Sequence, residues 1–253
     1  MNLLKGYLAL FLSIIVVVAI LQLSNAEVYH SASNTASNSS NNNIERNSKN
    51  PMKYDYVAKY GDYIKDLDQP YKDKFSGKSW HTHFLRFPIT YWISPCREEQ
   101  RKQILDALAQ YATYFPLQEV KSKSQAFLVI EVVDKEELKQ LCGKTYKPNV
   151  LGCGGGSYSA SQLGGNTGRI YKGYLYLKTN IFAIPGSITT VLHELGHAFG
   201  IAGHSKDPSD IMYYAIDAWA LMSKSSSAKK IPTHLNYRDC NTLYLIYNDW
   251  YDK

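Results

Sequence analysis

Residues 187–214 read SITTVLHELGHAFGIAGHSKDPSDIMYY, and the interpretation of the rest of the chain depends on this stretch. Its first half carries apolar residues at the helical spacing i, i+3, i+4 and i+7. These residues are Ile188, Val191, Leu192 and Leu195. The spacing predicts a helix over Ser187–Phe199 that packs one face onto a hydrophobic core.

Two histidines lie off that apolar face, four residues apart. Residues at this spacing project from the same side of a helix, so one Zn²⁺ can bridge the imidazoles of His193 and His197. Glu194 lies between them, beside the metal rather than on it, where a carboxylate can take a proton from water. This HExxH pattern is typical of zinc hydrolases, although two helix histidines without a metal remain the alternative.

A catalytic zinc site needs a third protein ligand. A glutamate further along the chain is excluded, because Glu194 is the last glutamate in the sequence. The remaining candidates are His204, Asp207, Asp210 and His234. Only His204 follows a helix end broken by glycine. Gly200 can adopt the left-handed conformation that ends a helix, after which the chain can turn back towards the metal.

Residues 193–214 as a whole resemble the metzincin signature HExxHxxGxxH followed by a Met-turn, as found in matrixin-type metalloproteases. The chain departs from this signature at one position. Gly203 stands where the third histidine is expected, and the histidine is displaced by one residue to His204. A one-residue bulge at Gly203 would account for the shift, and Asp207 would replace His204 as ligand if the imidazole pointed away.

The resemblance implies the roles of two further residues. Met212 would lie beneath the metal as a packing base without binding it. Tyr214 occupies the place where some other metzincins carry a tyrosine that approaches the metal.

The resemblance also implies a fold and an activity. The fold is α+β, a metzincin-like zinc protease domain with a twisted mixed sheet, an active-site helix and a C-terminal helix. The activity is that of a zinc endopeptidase with one catalytic Zn²⁺ held by His193, His197 and His204, and with Glu194 as catalytic residue. An extended peptide would pair with an edge strand, either Ser157–Gln162 or Tyr171–Lys178.

A monomer that acts on a protein or peptide substrate is expected. A structural Ca²⁺ stays open, because no sequence feature indicates it. Two other functions also stay open: a zinc amidase acting on cell-wall peptides, and a catalytically inactive metzincin-like binding module. The intact Glu194 argues against the second, because a binding module has no need of an acid there.

The remaining elements follow from local patterns. The first strand is predicted in HFLRFPITYWIS, residues 83–94, so that the folded domain begins near Trp80. A helix capped by Ser94 and a strand over residues 126–133 follow, an order that predicts a crossover unit. The Gly-rich residues 152–168 favour an active-site rim loop or a ragged edge strand. Another strand over residues 169–181 and a last helix over 236–247 complete the domain.

The N-terminal quarter of the chain indicates export. Residues 1–26 contain a long apolar run followed by Ser24-Asn25-Ala26, which is typical of a cleaved signal peptide. An N-terminal membrane anchor is the alternative, because the run reaches the ~18 residues of a spanning helix. Residues 27–50 predict a disordered Ser/Asn-rich linker, 51–79 an N-terminal extension or short pro-segment, and 80–253 the catalytic domain. The protein is therefore expected to be secreted, extracellular or periplasmic.

The cysteines suit an oxidising compartment. Up to two disulfides are predicted, with Cys142–Cys153 first, and Cys96 and Cys240 as a second pair or as free thiols. Residues 27–95 contain no cysteine, which excludes latency through a thiol of a pro-segment. A carboxylate over the zinc would be the alternative form of latency. The candidates for it are Asp55, Asp62, Asp66 and Asp68.

The charge distribution excludes one class of partner. The formal net charge is +6, but basic and acidic residues are interspersed along the chain. Nucleic-acid binding requires a basic stripe, and the sequence contains none.

Overall fold

The computed structural model describes residues 52–67, 81–160, 167–214 and 231–248. These residues form an α+β fold with one mixed sheet, as predicted, and four α-helices. The helix Lys135–Cys142 and the strand Leu117–Glu119 were not predicted. The predicted signal peptide and linker lie outside the described residues. Within the described ranges, no helix is long and apolar enough to cross a membrane.

Six strands make up the sheet. They are β1 (His81–His83), β2 (Ile89–Ile93), β3 (Leu117–Glu119), β4 (Leu128–Val133), β5 (Gly152–Ala160) and β6 (Thr167–Lys178). Parallel pairs join β3 to β2, β2 to β4, and β4 to β6, so the predicted crossover unit is confirmed. Strand β1 also runs parallel to β6, at its N-terminal end. Only β5 runs antiparallel, along the other edge of β6.

Four α-helices accompany the sheet. They are α1 (Glu98–Ala112), α2 (Lys135–Cys142), α3 (Ser187–Ala198) and α4 (Tyr237–Asn248). Short 3₁₀ turns occur at Ala58–Tyr60, Ile64–Asp66, Lys123–Gln125, Gly143–Thr145 and Thr179–Ala183. Helices α1, α3 and α4 share one hydrophobic core with the sheet, which includes Tyr111, Leu192 and Leu243. Helix α2 packs its Leu138 and Cys142 against Val133 in a second, smaller cluster. The Tyr111 hydroxyl donates to the carbonyl oxygen of Leu192 at 2.8 Å, which ties α1 to α3.

Two predicted boundaries are wrong. The strand predicted over residues 83–94 is divided into β1 and β2, and Pro88 between them has no N–H for a ladder. Helix α1 begins at Glu98 rather than directly after Ser94, because the Ser94 Oγ instead accepts the N–H of Val132 at 3.1 Å. The helix start is held by Gln100, whose side chain accepts the backbone N–H of Arg97 at 3.0 Å.

The cysteines form one disulfide. The predicted bond between Cys142 and Cys153 is confirmed, and it joins the end of α2 to the start of β5. The alternative of free thiols holds for Cys96 and Cys240. A disulfide of this kind is consistent with an extracellular protein.

Candidate metal centre

Helix α3 ends in a way that lets the chain return to it. Gly200 has a φ of 110°, which confirms the predicted left-handed conformation, and a Cβ there would overlap the carbonyl oxygen of Thr82. The N–H of Gly200 donates to the carbonyl of His197 at 3.1 Å, and that of Ile201 to the carbonyl of Gly196 at 3.0 Å. These two bonds form a Schellman motif, which directs the following residues back across the helix.

The returning chain brings His204 to the two helix histidines. The ring centroids of His193, His197 and His204 lie 4.8–5.2 Å apart. One ligand nitrogen from each ring can be chosen so that all three lie within 4.8 Å of one another. Such a cluster could hold a metal ion.

In each of the two helix histidines, Nδ1 contacts a backbone carbonyl and Nε2 is left for a metal. The Nδ1 of His193 lies 2.8 Å from the carbonyl oxygen of Ile211, and the Nδ1 of His197 lies 2.7 Å from that of Ile201. A carbonyl oxygen can only accept, so Nδ1 carries the proton in each ring and Nε2 keeps a free lone pair for a metal. Backbone oxygens thus fix both the tautomer and the orientation of the rings.

Burial keeps these imidazoles neutral. Desolvation lowers the pKa of His193 well below its usual value, and the neighbouring His197 adds to the shift. Desolvation also lowers the pKa of His197. Neutral imidazole is the form that binds a metal, so His193 and His197 can bind one without first losing a proton.

Glu194 lies beside the cluster and contacts β5. Its Oε2 accepts the backbone N–H of Gly154 at 2.6 Å. Burial raises the pKa of the Glu194 carboxyl to about 7, against the opposing effect of this hydrogen bond. A Cβ at Gly154 would overlap the backbone carbonyl of Glu194, so the strand can pass this close to the helix only with glycine at that position. Gly154 was not predicted as a site residue, and only its place in the Gly-rich run pointed to it.

Met212 packs beneath the helix that carries the histidines. It is fully buried, and its Sδ lies where a Cβ at Gly196 would be. The Ser205 N–H donates to the Met212 carbonyl at 2.7 Å, and the Tyr214 N–H donates to the Ser205 carbonyl at 3.3 Å. These bonds close the loop from His204 to Tyr214 and fix its two ends relative to each other.

The other candidate ligands have different surroundings. Asp210 is buried and pairs with Arg238 at 3.1 Å, while Asp207 accepts the N–H of Ser209 at 2.9 Å. His234 is exposed and lies 3.0 Å from the hydroxyl of Thr233. In the part of the chain that the structure describes, the three-histidine cluster is the one group of His, Cys, Asp or Glu suited to a metal.

The carboxylates considered for latency also lie apart from the cluster. Asp62 accepts the hydroxyl of Tyr56 at 2.9 Å, and Asp66 lies 3.7 Å from the Lys206 ammonium. Neither these two nor Asp55 belongs to the group of possible metal ligands. Asp68 lies outside the described residues.

A cavity of about 240 Å³ opens beside His193 and Glu194. Its lining also includes Lys147, Asn149, Val150, Leu151, Gly152, Thr190 and Tyr214. The Tyr214 side chain is 65% exposed, so this tyrosine lies at the border of the cavity rather than within the packed core. A second cavity, of about 270 Å³, is lined by Phe84, Arg86, Phe127 and Tyr171 among others and touches none of the three histidines.

The structure separates the two candidate strands for peptide pairing. Tyr171–Lys178 lies within β6, which pairs with β4 on one side and β5 on the other, so this prediction is wrong. The candidate Ser157–Gln162 falls in β5 as far as Ala160, and its last two residues lie outside the described ranges. Among the described strands, β5 pairs only with β6, so its second edge carries no strand partner.

No protein-family model matches the sequence, and no curated protein matches it.

Proposed function

We propose that the protein is an exported zinc-dependent endopeptidase of the metzincin type. The observation that carries this proposal is the position of Glu194, a carboxylate held by β5 next to three histidines that offer nitrogen ligands to one metal. Three neutral nitrogen ligands suit Zn²⁺, and an open fourth position is typical of catalytic zinc. The apparent secretion signal and the Cys142–Cys153 disulfide support export.

In the proposed mechanism, the three histidines would hold the zinc and Glu194 would transfer the proton. Zinc, when bound, supplies Lewis acidity towards a carbonyl oxygen and towards water. Glu194 accepts the proton of the attacking water and returns it to the leaving amine. The Gly154 N–H fixes one oxygen of the Glu194 carboxylate, and Glu194 lines the cavity in which a substrate would lie.

The surroundings of the cluster suit an extended peptide. Strand β5 holds Glu194 and has a second edge without a strand partner among the described residues, so a peptide can add there by main-chain hydrogen bonds. The cavity between residues 147–152 and α3 would take one substrate side chain next to the scissile bond.

The test compares the exported chain, residues 27–253, with its Glu194→Gln variant on an unstructured protein substrate. We expect the variant to lose about 10²–10⁴-fold in kcat, because general acid–base catalysis contributes that much. It should bind zinc as wild type does, because Glu194 is not a ligand. Glu137→Gln, an exposed glutamate on α2, is the matched control and should cleave at the wild-type rate.

A chelator should abolish cleavage, and added zinc should restore it. If zinc-loaded wild type cleaves no protein, or if Glu194→Gln cleaves as fast as wild type, the proteolytic function is wrong. Cleavage of cell-wall peptides alone would point to the amidase instead.

A further inference from the structure

Residues 52–67, called the strap below, pack along α4 and into the core. Met52, Tyr63 and Leu67 of the strap are 5%, 1% and 6% exposed. Side chains that are this buried form part of the hydrophobic core of the domain.

Two polar side chains of α4 hold the backbone of the strap. The Asn241 amide accepts the N–H of Val57 at 3.0 Å and donates to the carbonyls of Val57 at 3.0 Å and Gly61 at 2.6 Å. The Thr242 hydroxyl accepts the N–H of Tyr63 at 3.1 Å. The strap therefore has a defined position, and Tyr63 enters the core at a fixed point.

From that point a line of hydrogen bonds leads to the histidine cluster. The Tyr63 hydroxyl donates to the Oδ1 of Asp239 at 2.8 Å, and this carboxylate accepts the N–H of Ile211 at 3.1 Å. The carbonyl of the same Ile211 accepts the Nδ1–H of His193 at 2.8 Å. Ile211 therefore links the two sides: its N–H is bound by Asp239, the partner of Tyr63, and its carbonyl binds His193.

We propose that Tyr63 is a positioning residue for the metal centre, acting through Asp239 and Ile211 on His193. The inference rests on the proposed metal binding but not on proteolysis. Asp239 is completely buried, and the N–H of Asn236 at 2.9 Å is its other backbone donor. The Ile211 N–H lies 3.1 Å from Oδ1 and 3.2 Å from Oδ2, and the Asn236 N–H holds Oδ2 alone. Without the Tyr63 hydroxyl, Oδ1 has no donor of its own, so the carboxylate can turn about its bond to Asn236 and shift the Ile211 backbone that it holds.

The strap could stabilise the fold only, or it could also position His193, and zinc affinity distinguishes these two roles. If the strap only added stability, any loosening of it would lower the free energy of unfolding and leave the affinity of the folded protein for zinc unchanged. If Tyr63 positions His193, loss of its hydroxyl lowers the zinc affinity of molecules that are still folded, because the ring orientation of a ligand depends on its outer hydrogen bonds.

The experiment compares Tyr63→Phe with Tyr54→Phe in the exported chain, residues 27–253. Tyr54 is the matched control, because its hydroxyl also joins the strap to α4, by a 2.9 Å bond to Asn241, but has no bond to Asp239. Zinc affinity is measured by competition with a chromophoric chelator, at a temperature where circular dichroism shows each variant to be folded. Thermal unfolding of the metal-free proteins is recorded in parallel.

We expect Tyr63→Phe to weaken zinc binding by about three- to tenfold, below the 10–100-fold typical of a direct hydrogen-bond partner of a ligand. Tyr54→Phe should lower the melting temperature but keep its zinc affinity within about twofold of wild type. Asp239→Asn, which removes one acceptor oxygen, should weaken zinc binding further than Tyr63→Phe.

Equal zinc affinities of wild type and Tyr63→Phe would overturn the positioning role, and so would equal losses in Tyr63→Phe and Tyr54→Phe. Failure of wild type itself to bind zinc would overturn the metal centre and, with it, this inference. Zinc binding without proteolysis would contradict only the proposed function, so the two failures are distinguishable.

Discussion

Replacing both Cys142 and Cys153 by alanine is expected to lower the free energy of unfolding by about 2.8 kcal/mol at 25 °C. The two cysteines are 11 residues apart, and the loop-closure relation for a cross-link of that length gives this value. A domain of roughly 200 residues loses about 2–4 °C in Tm per kcal/mol, so the melting temperature should fall by about 6–11 °C.

The same double substitution should affect substrate binding but not metal binding. The loop closed by the disulfide contains five residues that line the cavity beside Glu194: Lys147, Asn149, Val150, Leu151 and Gly152. None of the three histidines lies in this loop. We therefore expect KM for a peptide substrate to rise while the zinc affinity stays at the wild-type value.

Differential scanning calorimetry in oxidising buffer measures the stability change. Cys96→Ala is the control, because Cys96 is a free thiol, and it should lower the free energy of unfolding by less than about 1 kcal/mol. A double variant that melts within about 2 °C of wild type would refute the loop-closure argument. So would a wild-type melting temperature that does not respond to a reductant.

Two further predictions concern the histidines and the methionine beneath them. Because burial lowers the pKa of His193 and His197, these two side chains bind more protons in the unfolded chain than in the folded one once the pH falls below about 6.5, and they then destabilise the metal-free protein. Burial raises the pKa of Glu194 and of Asp239 to about 7, so these two carboxyls act in the opposite sense over the same range. A His193→Gln, His197→Gln double variant, unfolded thermally in a chelator, isolates the histidine effect: it should lose less stability than wild type as the pH falls, and an equal or greater loss would contradict the burial argument. Gly196→Ala should cost about 1–3 kcal/mol in urea unfolding, because the added Cβ overlaps the Sδ of Met212; an unchanged midpoint would mean that Met212 can move aside.

Patterns within one helix were predictable, because helical periodicity relates residues that are close in the chain. The spacing of His193 and His197 and the apolar face of α3 both depend on this periodicity. The start of α1 was not predictable in the same way. Ser94 is a good cap by its local sequence, but its hydroxyl is engaged by Val132 on a strand that comes 38 residues later.

The Gly-rich run shows the same limit at the site itself. Composition left residues 152–168 as a rim loop or a ragged edge strand, and the described part confirms the second, because Gly152–Ala160 form the irregular edge strand β5. Gly154 is required there because the strand passes against the backbone of Glu194, and that approach depends on how α3 packs on the sheet. A single sequence shows the glycines but not the helix that lies against them.

The one-residue departure from the metzincin spacing can be explained by what holds each end of the intervening segment. Gly200 is fixed by the end of α3, and Ser205 is fixed by its bond to Met212. Gly203 does not need a left-handed turn, because among the described glycines positive φ values occur at Gly61, Gly143, Gly186 and Gly200. Ile201 is held as well, by its N–H to Gly196 and by its carbonyl to His197, so Ala202 and Gly203 bridge the fixed end of the helix and the segment that begins at His204. His204 directly precedes Ser205, so its position depends on the bond between Ser205 and Met212 as well as on the end of α3, and a count of residues from the HExxH motif alone does not give it.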